Sequence, residues 1–169
     1  MKMFTGLSLA FVAVLSLVSE GNCDGTENAT NSHYFHAYTD AGDDYKFTTN
    51  VPDLSVYNMD NRITRACQTG LWLLYSNTDY DYYEPGFGTC EPATGIDICA
   101  DMGGCMRASS LRYAGSPYGL NEPYYNLYSS GAFVGLEFAG NHTTPTVDNP
   151  NMKAYSVIIS GTDSWTLFE

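Results

Sequence analysis

Basic residues are scarce in this chain. Seven Lys and Arg stand against nineteen Asp and Glu, and the formal net charge is −12. A chain of that sign is repelled by nucleic acid and by anionic membrane surfaces, which removes both as partners. Cations and basic surfaces suit it better. Long amphipathic helical patterns are missing as well, and no apolar run beyond the first twenty or so residues is long enough to span a bilayer. Signatures of catalysis are equally absent. There is no G-x-S-x-G, no H-E-x-x-H and no phosphate loop. The cysteines include no C-x-x-C pair of the kind that holds zinc. His33 and His36 form an H-x-x-H, but on a strand their side chains point to opposite faces. Acid pairs such as Asp43-Asp44 suit solvated turns. These absences describe a protein that is not an enzyme.

What is present begins with a secretory signal. Lys2 supplies the positive start, an apolar core runs from Leu7 to Val18, and Ser19 and Gly21 place cleavage after Gly21. Removing residues 1–21 takes away Lys2 and Glu20, so the net charge stays at −12. The expected location is extracellular. Fourteen Tyr and eight Phe, with Gly and Pro punctuating the chain, favour an all-β protein. Five cysteines follow the signal: Cys23, Cys67, Cys90, Cys99 and Cys105. In a secreted chain they imply disulfides. The last four admit three alternative pairings. Cys23 is the odd one, free to link two chains, stay reduced or displace another. Asn28-Ala-Thr30 and Asn141-His-Thr143 are N-glycosylation acceptors in polar surroundings.

Residues 22–32 read as a flexible polar lead-in. Strands follow at Tyr34–Tyr38, Tyr45–Phe47, Ile63–Cys67, Leu71–Tyr75, Ser109–Tyr113 and Tyr155–Ile159, with a last short one over Trp165–Glu169. Gly70 separates the third from the fourth. The stretch from Tyr128 to Phe138 reads as a hairpin folded over itself. Gly135 takes a positive φ that a side chain would oppose, Phe133 and Tyr128 cover the turn, and Val134, Leu136 and Phe138 follow at period two. A repeat of about 40 residues emerges. Trp72-x-x-Tyr75 and Trp165-x-x-Phe168 occupy the same place in their units.

This pattern resembles the βγ-crystallin family of Greek key domains. Tyr128-x4-Phe133-x-Gly135 is similar to that family's folded-hairpin signature. Asp60 through Tyr75 resembles its passage from one motif into the next, and Ser109–Tyr113 and Ser156 through Trp165 are similar to further examples. The resemblance implies an all-β, βγ-crystallin-like Greek key β-sandwich. One complete two-motif domain covers residues 33–113, a linker covers 114–123, and an incomplete second domain covers 124–169. The chain departs from the pattern in places. Tyr82 stands where the second hairpin's glycine belongs, the interval from Tyr38 to Tyr45 is two residues too long, and the fourth unit stops at Glu169 after its first strand. The half-covered face of the C-terminal unit is then expected to pack on the first domain, to swap with another chain, or to mark a truncated product. Self-association through that incomplete domain is the expected contact between copies.

The family often binds Ca2+ through Asn/Asp-Asn/Asp-x-x-Ser/Thr-Ser loops, whose oxygens suit a hard cation. Asp60-Asn61-Arg62-Ile63-Thr64 supplies the first five positions, and Arg65 puts a cation at the sixth. Ser109-Ser110 lacks the acidic pair, and Ser156 lacks both ends. The resemblance therefore implies one incomplete site built from Asp60, Asn61 and Ser110, with weak Ca2+ binding or none and no other cofactor. Thr64, Ser109 and Ser156 are expected to hydrogen-bond the folded hairpins. The implied role is structural or that of an extracellular binding module. The alternative is a secreted inhibitor or toxin-like component acting on a protein or glycan partner. Tyr80-Asp-Tyr-Tyr83 and Tyr124-Tyr125 offer rigid amphipathic contact area for either.

Overall fold

A computed structural model describes residues 12–14, 32–81, 94–105, 107–147 and 153–168. Their regular structure is strand and short 3-10 turn, with no α-helix among the described residues. The strands are β1 (Val12–Val14), β2 (Tyr34–Thr39), β3 (Asp44–Phe47), β4 (Ile63–Tyr75), β5 (Thr94–Asp101), β6 (Ser110–Ala114), β7 (Tyr124–Tyr128), β8 (Glu137–Gly140) and β9 (Ser156–Ser160). The expected all-β class is what the chain adopts.

Phe35 and Ala37 of β2 alternate with the polar-tipped Tyr34, His36 and Tyr38, which sets them inward, as a period of two requires. β3, β2, β4 and β5 lie side by side in that order, and β6 pairs with β4. The sequence suggested two strands broken at Gly70. Instead β4 runs through Gly70 at φ +90°. Residues 63–69 pair with β2, and residues 71–75 pair with β6. A Cβ at Gly70 would sit 2.6 Å from Tyr113 Cε2, so the Tyr113 ring packs against this backbone only because the side chain is missing.

β4 bends about that point, and the main core closes inside the bend. Phe35, Ala37, Ile63 and Ala66 from one side meet Trp72, Leu74, Leu111 and Tyr113 from the other. The alternate residues of β4 and β6 face the opposite way. There Leu73, Tyr75 and Ala114 pack against Tyr128, Val134 and Ile158 of the C-terminal half. β6 is consequently buried along its whole length. The C-terminal half packs on the first half through this cluster. Within residues 114–123, Ala114, Ser116 and Leu120 are buried, and the Gly115 amide donates to Asn126 Oδ1 at 3.0 Å.

The C-terminal sheet has the order β1-β9-β7-β8. Its outer face carries Tyr125, Leu127 and Val157, with Phe138, Ile159 and Trp165 packed beside them. β8 starts only at Glu137, so Leu136 is exposed rather than part of an apolar strand face. Of the stretch read as a last strand, Trp165–Glu169, residues 165–168 carry no regular structure and Glu169 lies outside the described residues. β1 belongs to the stretch read as the secretory leader. It pairs in parallel with β9, Val12 opposite Val157 and Val14 opposite Ile159. An edge strand leaves a row of backbone groups that any extended segment can satisfy.

Cys67 and Cys99 face each other across the β4–β5 ladder and are joined. Cys105 is also disulfide-bonded. Cys23, Cys90, Asn28, Tyr82 and Tyr83 lie outside the described residues. Among those described, no helix is long and apolar enough to cross a membrane.

Candidate functional site

Two hairpins define the junction between the halves, and they are built alike. Tyr75 lies opposite Ser110 in one ladder, and Tyr128 lies opposite Ser156 in the other. After each tyrosine the chain makes a 3-10 turn with two residues in the left-handed region. These are Asp79 and Tyr80 in the first, Ala132 and Phe133 in the second. The serine then ties the turn down. Ser110 Oγ accepts from Tyr80 N at 3.1 Å and donates to Asn77 O at 2.6 Å. Ser156 Oγ accepts from Phe133 N at 3.0 Å and donates to Ser130 O at 2.7 Å. Edge-on ring contacts close both folds, Tyr75 to Tyr80 at 5.9 Å and Tyr128 to Phe133 at 5.7 Å. Gly135 takes φ +85°, as the sequence required.

The hydroxyl expected to tie the second hairpin was Ser109. The register selects Ser110 instead, since it stands across from Tyr75 as Ser156 stands across from Tyr128. The first hairpin is different. A register shift at Tyr38/Thr39 offsets Thr64, which only reaches Tyr38 O at 3.4 Å.

Between the two tied hairpins sits Arg112, 3% exposed. Its Nη2 donates to Phe133 O at 2.7 Å and to Tyr75 Oη at 3.0 Å. Tyr75 Oη in turn donates to Phe133 O at 2.7 Å. The guanidinium lies 4.7 Å from the Tyr128 ring centroid, 4.8 Å from Tyr80 and 5.4 Å from Tyr75. Glu137 lies 3.8 Å from Nη1 and supplies the counter-charge, itself held by Asn126 Nδ2 at 2.8 Å. The planar, weakly hydrated guanidinium tolerates such a cage where an ammonium would not. Burial pushes the Tyr75 phenol up to about 12, against the opposing pull of Arg112. Burial, reinforced by Glu137, raises Tyr128 well above the ordinary range. Sequence reading missed Arg112. With Leu111 and Tyr113 facing a core, alternation assigns the residue between them to solvent, and only a third layer makes it interior.

Beside this cage opens a cleft of about 910 Å³. Asp53, Asp60, Asp79 and Asp81 line it from the first half, and Ser130, Val134 and Gly135 from the second. Asp53 caps the 3-10 turn Leu54–Tyr57, and hydrogen bonds from the Ser55 hydroxyl and amide hold its carboxyl below the ordinary range. Asp79 is placed by the left-handed tip of the second hairpin, whose amide donates to Pro52 O at 2.8 Å. No Lys or Arg is among the described lining residues. A concave surface lined by one sign of charge concentrates the opposite sign.

Of the expected Ca2+ ligands Asp60, Asn61 and Ser110, Asp60 lines this cleft. Asp60, Asn61 and Ser109 come together, with Asn61 Nδ2 donating to Asp60 Oδ2 at 3.0 Å and lying 3.5 Å from Ser109 Oγ. Asp60 Oδ1 is buried and makes no hydrogen bond among the described residues. Ser110 turns away, its oxygen committed to the hairpin. Among the described residues no group of three or more His, Cys, Asp and Glu is close enough to hold a metal ion.

The two N-terminal histidines serve different neighbours. His33 stacks on Tyr113 at 3.9 Å, and its burial lowers its pKa. His36 bridges Asp44 Oδ2 at 2.6 Å and Tyr38 Oη at 3.0 Å. Trp72 is fully buried in the main core, and Trp165 covers the outer face of the C-terminal sheet. No protein-family model matches this chain, and a search of curated proteins finds no match either.

Proposed function

We propose that the chain is a secreted, non-catalytic binding protein of βγ-crystallin-like Greek key architecture that takes a basic partner at the cleft between its halves. The function rests on one observation, the four carboxylates of Asp53, Asp60, Asp79 and Asp81 around a single concavity in a chain of net charge −12. The architecture draws support from the strand order β3-β2-β4-β5, from β6 added on the far half of β4, and from the two serine-tied hairpins. On this reading residues 33–113 hold two motifs, and residues from 124 onward begin a third. Ca2+ would enter the cleft weakly, because the Asn61 amide nitrogen points at Asp60 and the Ser110 hydroxyl is already used.

The test is binding of a fluorescent oligolysine to the mature protein and to an Asp53→Asn/Asp79→Asn/Asp81→Asn variant, with Ca2+ titrated separately by calorimetry. Binding that weakens several-fold in the variant and with added salt supports the cleft. Equal binding by both proteins refutes it, and a submicromolar Ca2+ site would refute the weak-binding reading. A pulldown from extracellular fluid that retains one stoichiometric protease or receptor would give the partner and favour an inhibitory role.

A further inference from the structure

We propose that an N-glycan carried on Asn141 is the occupant of the cavity on the outer face of the C-terminal sheet. The cavity measures about 640 Å³ and lies between β7, β9 and the segments 141–147 and 163–168. Its floor is apolar, formed by Tyr125, Leu127, Val157 and Ile159. Its rim is polar, with Thr143, Thr144, Asp163 and Ser164 among the lining residues. Asn141 itself lines the cavity, directly after β8 ends at Gly140. Asn141, His142 and Thr143 are all exposed, as an acceptor must be.

Two features of the floor suit a sugar better than an apolar strand. Tyr125 and Trp165 meet edge-on at 4.8 Å and present an aromatic corner. A pyranose offers an apolar C–H face to such rings and hydroxyl or acetamido oxygens at its edge. The second feature is an unanswered donor. Trp165 Nε1 is buried and has no hydrogen-bond partner among the described residues. A buried indole N–H normally finds an acceptor, and a sugar oxygen entering beside Trp165 supplies one. Tyr125 Oη makes only a long bond, 3.4 Å to His142 O, within the acceptor sequence itself. A covalent tether at the rim also removes most of the entropy cost of placing the sugar.

The modification is an ordinary glycosyl transfer from a lipid-linked oligosaccharide. A bond forms between Asn141 Nδ2 and the anomeric carbon as the bond from that carbon to the lipid pyrophosphate breaks. The pyrophosphate leaves with the electron pair, and the amide gives up one proton. The inference rests on the secretory reading, since that donor is met only in the secretory pathway.

The experiment uses the full chain expressed in eukaryotic cells. Peptide mapping of the secreted product reads occupancy at Asn28 and Asn141. Acrylamide quenching of tryptophan and thermal unfolding are then compared for the glycosylated protein, the enzymatically deglycosylated folded protein and Asn141→Gln. Loss of the Asn141 glycan is expected to raise the quenching of Trp165 at least twofold and to lower Tm by about 3 °C or more. Trp72 is fully buried and contributes a constant background. Asn28→Gln should change neither reading, and Trp165→Phe should abolish the quenching difference. Occupancy at Asn28 with none at Asn141 overturns the inference and leaves secretion standing. Unchanged quenching after deglycosylation also overturns it, and a dimer that protects Trp165 equally in both forms would replace the glycan with a second copy. A chain retained in the cell with its leader would sink the secretory reading and this one together.

Discussion

Arg112→Ala gives the most direct measure of how the two halves are held. The side chain is 3% exposed and bonds Phe133 O and Tyr75 Oη, groups on both sides of the junction. Truncation removes its bonds to both groups, leaving Phe133 O only the donor at Tyr75 Oη, and leaves Glu137 without its counter-charge. Removing one partner from a buried charged network costs about 3–5 kcal/mol. Glu137 is 21% exposed and can recover some hydration, which argues for the lower half of that range. Lost contact with three tyrosine rings adds to it, at about 0.5–2 kcal/mol for each well-desolvated cation–π pair. With the low end taken for each ring, a net loss of about 5 kcal/mol is expected, a large share of the roughly 5–15 kcal/mol typical of a domain. In a chain of this size it corresponds to a fall in Tm of roughly 10 °C. Guanidinium chloride unfolding of the mature protein reads the free energy and the m-value together. Arg112→Lys should recover less than half of the loss, because an ammonium cannot stack on three rings and reach two acceptors at once. Tyr75→Phe combined with Arg112→Ala should show a coupling of about 1 kcal/mol or more. A loss under about 1 kcal/mol with an unchanged m-value, or strict additivity in that cycle, would refute the account of Arg112 as the tie between the halves.

Other outcomes follow from the same contacts. Ser156→Ala and Ser110→Ala each remove both bonds that tie a hairpin, and each should cost about 1–3 kcal/mol by denaturant unfolding. Thr64→Ala, with one long bond to lose, should cost visibly less. Gly135→Ala places a Cβ against Ser129 Oγ at φ +85°, and a loss of about 1–3 kcal/mol is expected. Burial pushes the Tyr75 and Tyr113 phenols up to about 12, whereas the same groups in an unfolded chain ionise near 10. Below pH 10 their contribution to stability is complete. It falls as pH rises toward 12, by about 1.4 kcal/mol per pH unit for each group. The share of the tyrosinate absorbance that belongs to Tyr75 and Tyr113 should then appear together with unfolding rather than before it. Breaking the disulfide with Cys67→Ser/Cys99→Ser opens a link across 32 residues, for a loss of about 3–4 kcal/mol on a chain-entropy estimate.

Much of the strand pattern was readable in the chain because a half-buried sheet writes its period directly into the residues. Phe35 and Ala37 alternate with polar neighbours and proved to face the core. The glycine at 135 was readable too, since two aromatics at that spacing need a turn no side chain allows. Other features depend on register, which sequence carries only weakly. Ser109 and Ser110 look equivalent until the ladder sets one of them across from Tyr75. Gly70 looked like a break because a local rule cannot distinguish the end of a strand from a bend within it. The cleft was the least legible element. Asp53, Asp60, Asp79 and Asp81 come from three separate turns, and only the packing of the C-terminal half turns those solvated loops into walls. Arg112 failed for a related reason. Its neighbours identified one buried face, and nothing local announces a second.

β4 has a further consequence for how the molecule opens. One continuous strand serves three ladders, residues 63–69 with β2, residues 65–71 with β5 and residues 71–75 with β6. Peeling β6 away therefore loads the same backbone that anchors β2, through a hinge where Tyr113 packs against Gly70. Hydrogen exchange along β4 should consequently follow one opening event, with amides on both sides of Gly70 released together. β8 has no such coupling. Among the described residues it pairs only with β7, so its amides should exchange earlier, as a local unzipping at the rim. The N-terminal half then behaves as a single cooperative unit on the timescale of exchange, and the C-terminal sheet frays from its outer strand inward.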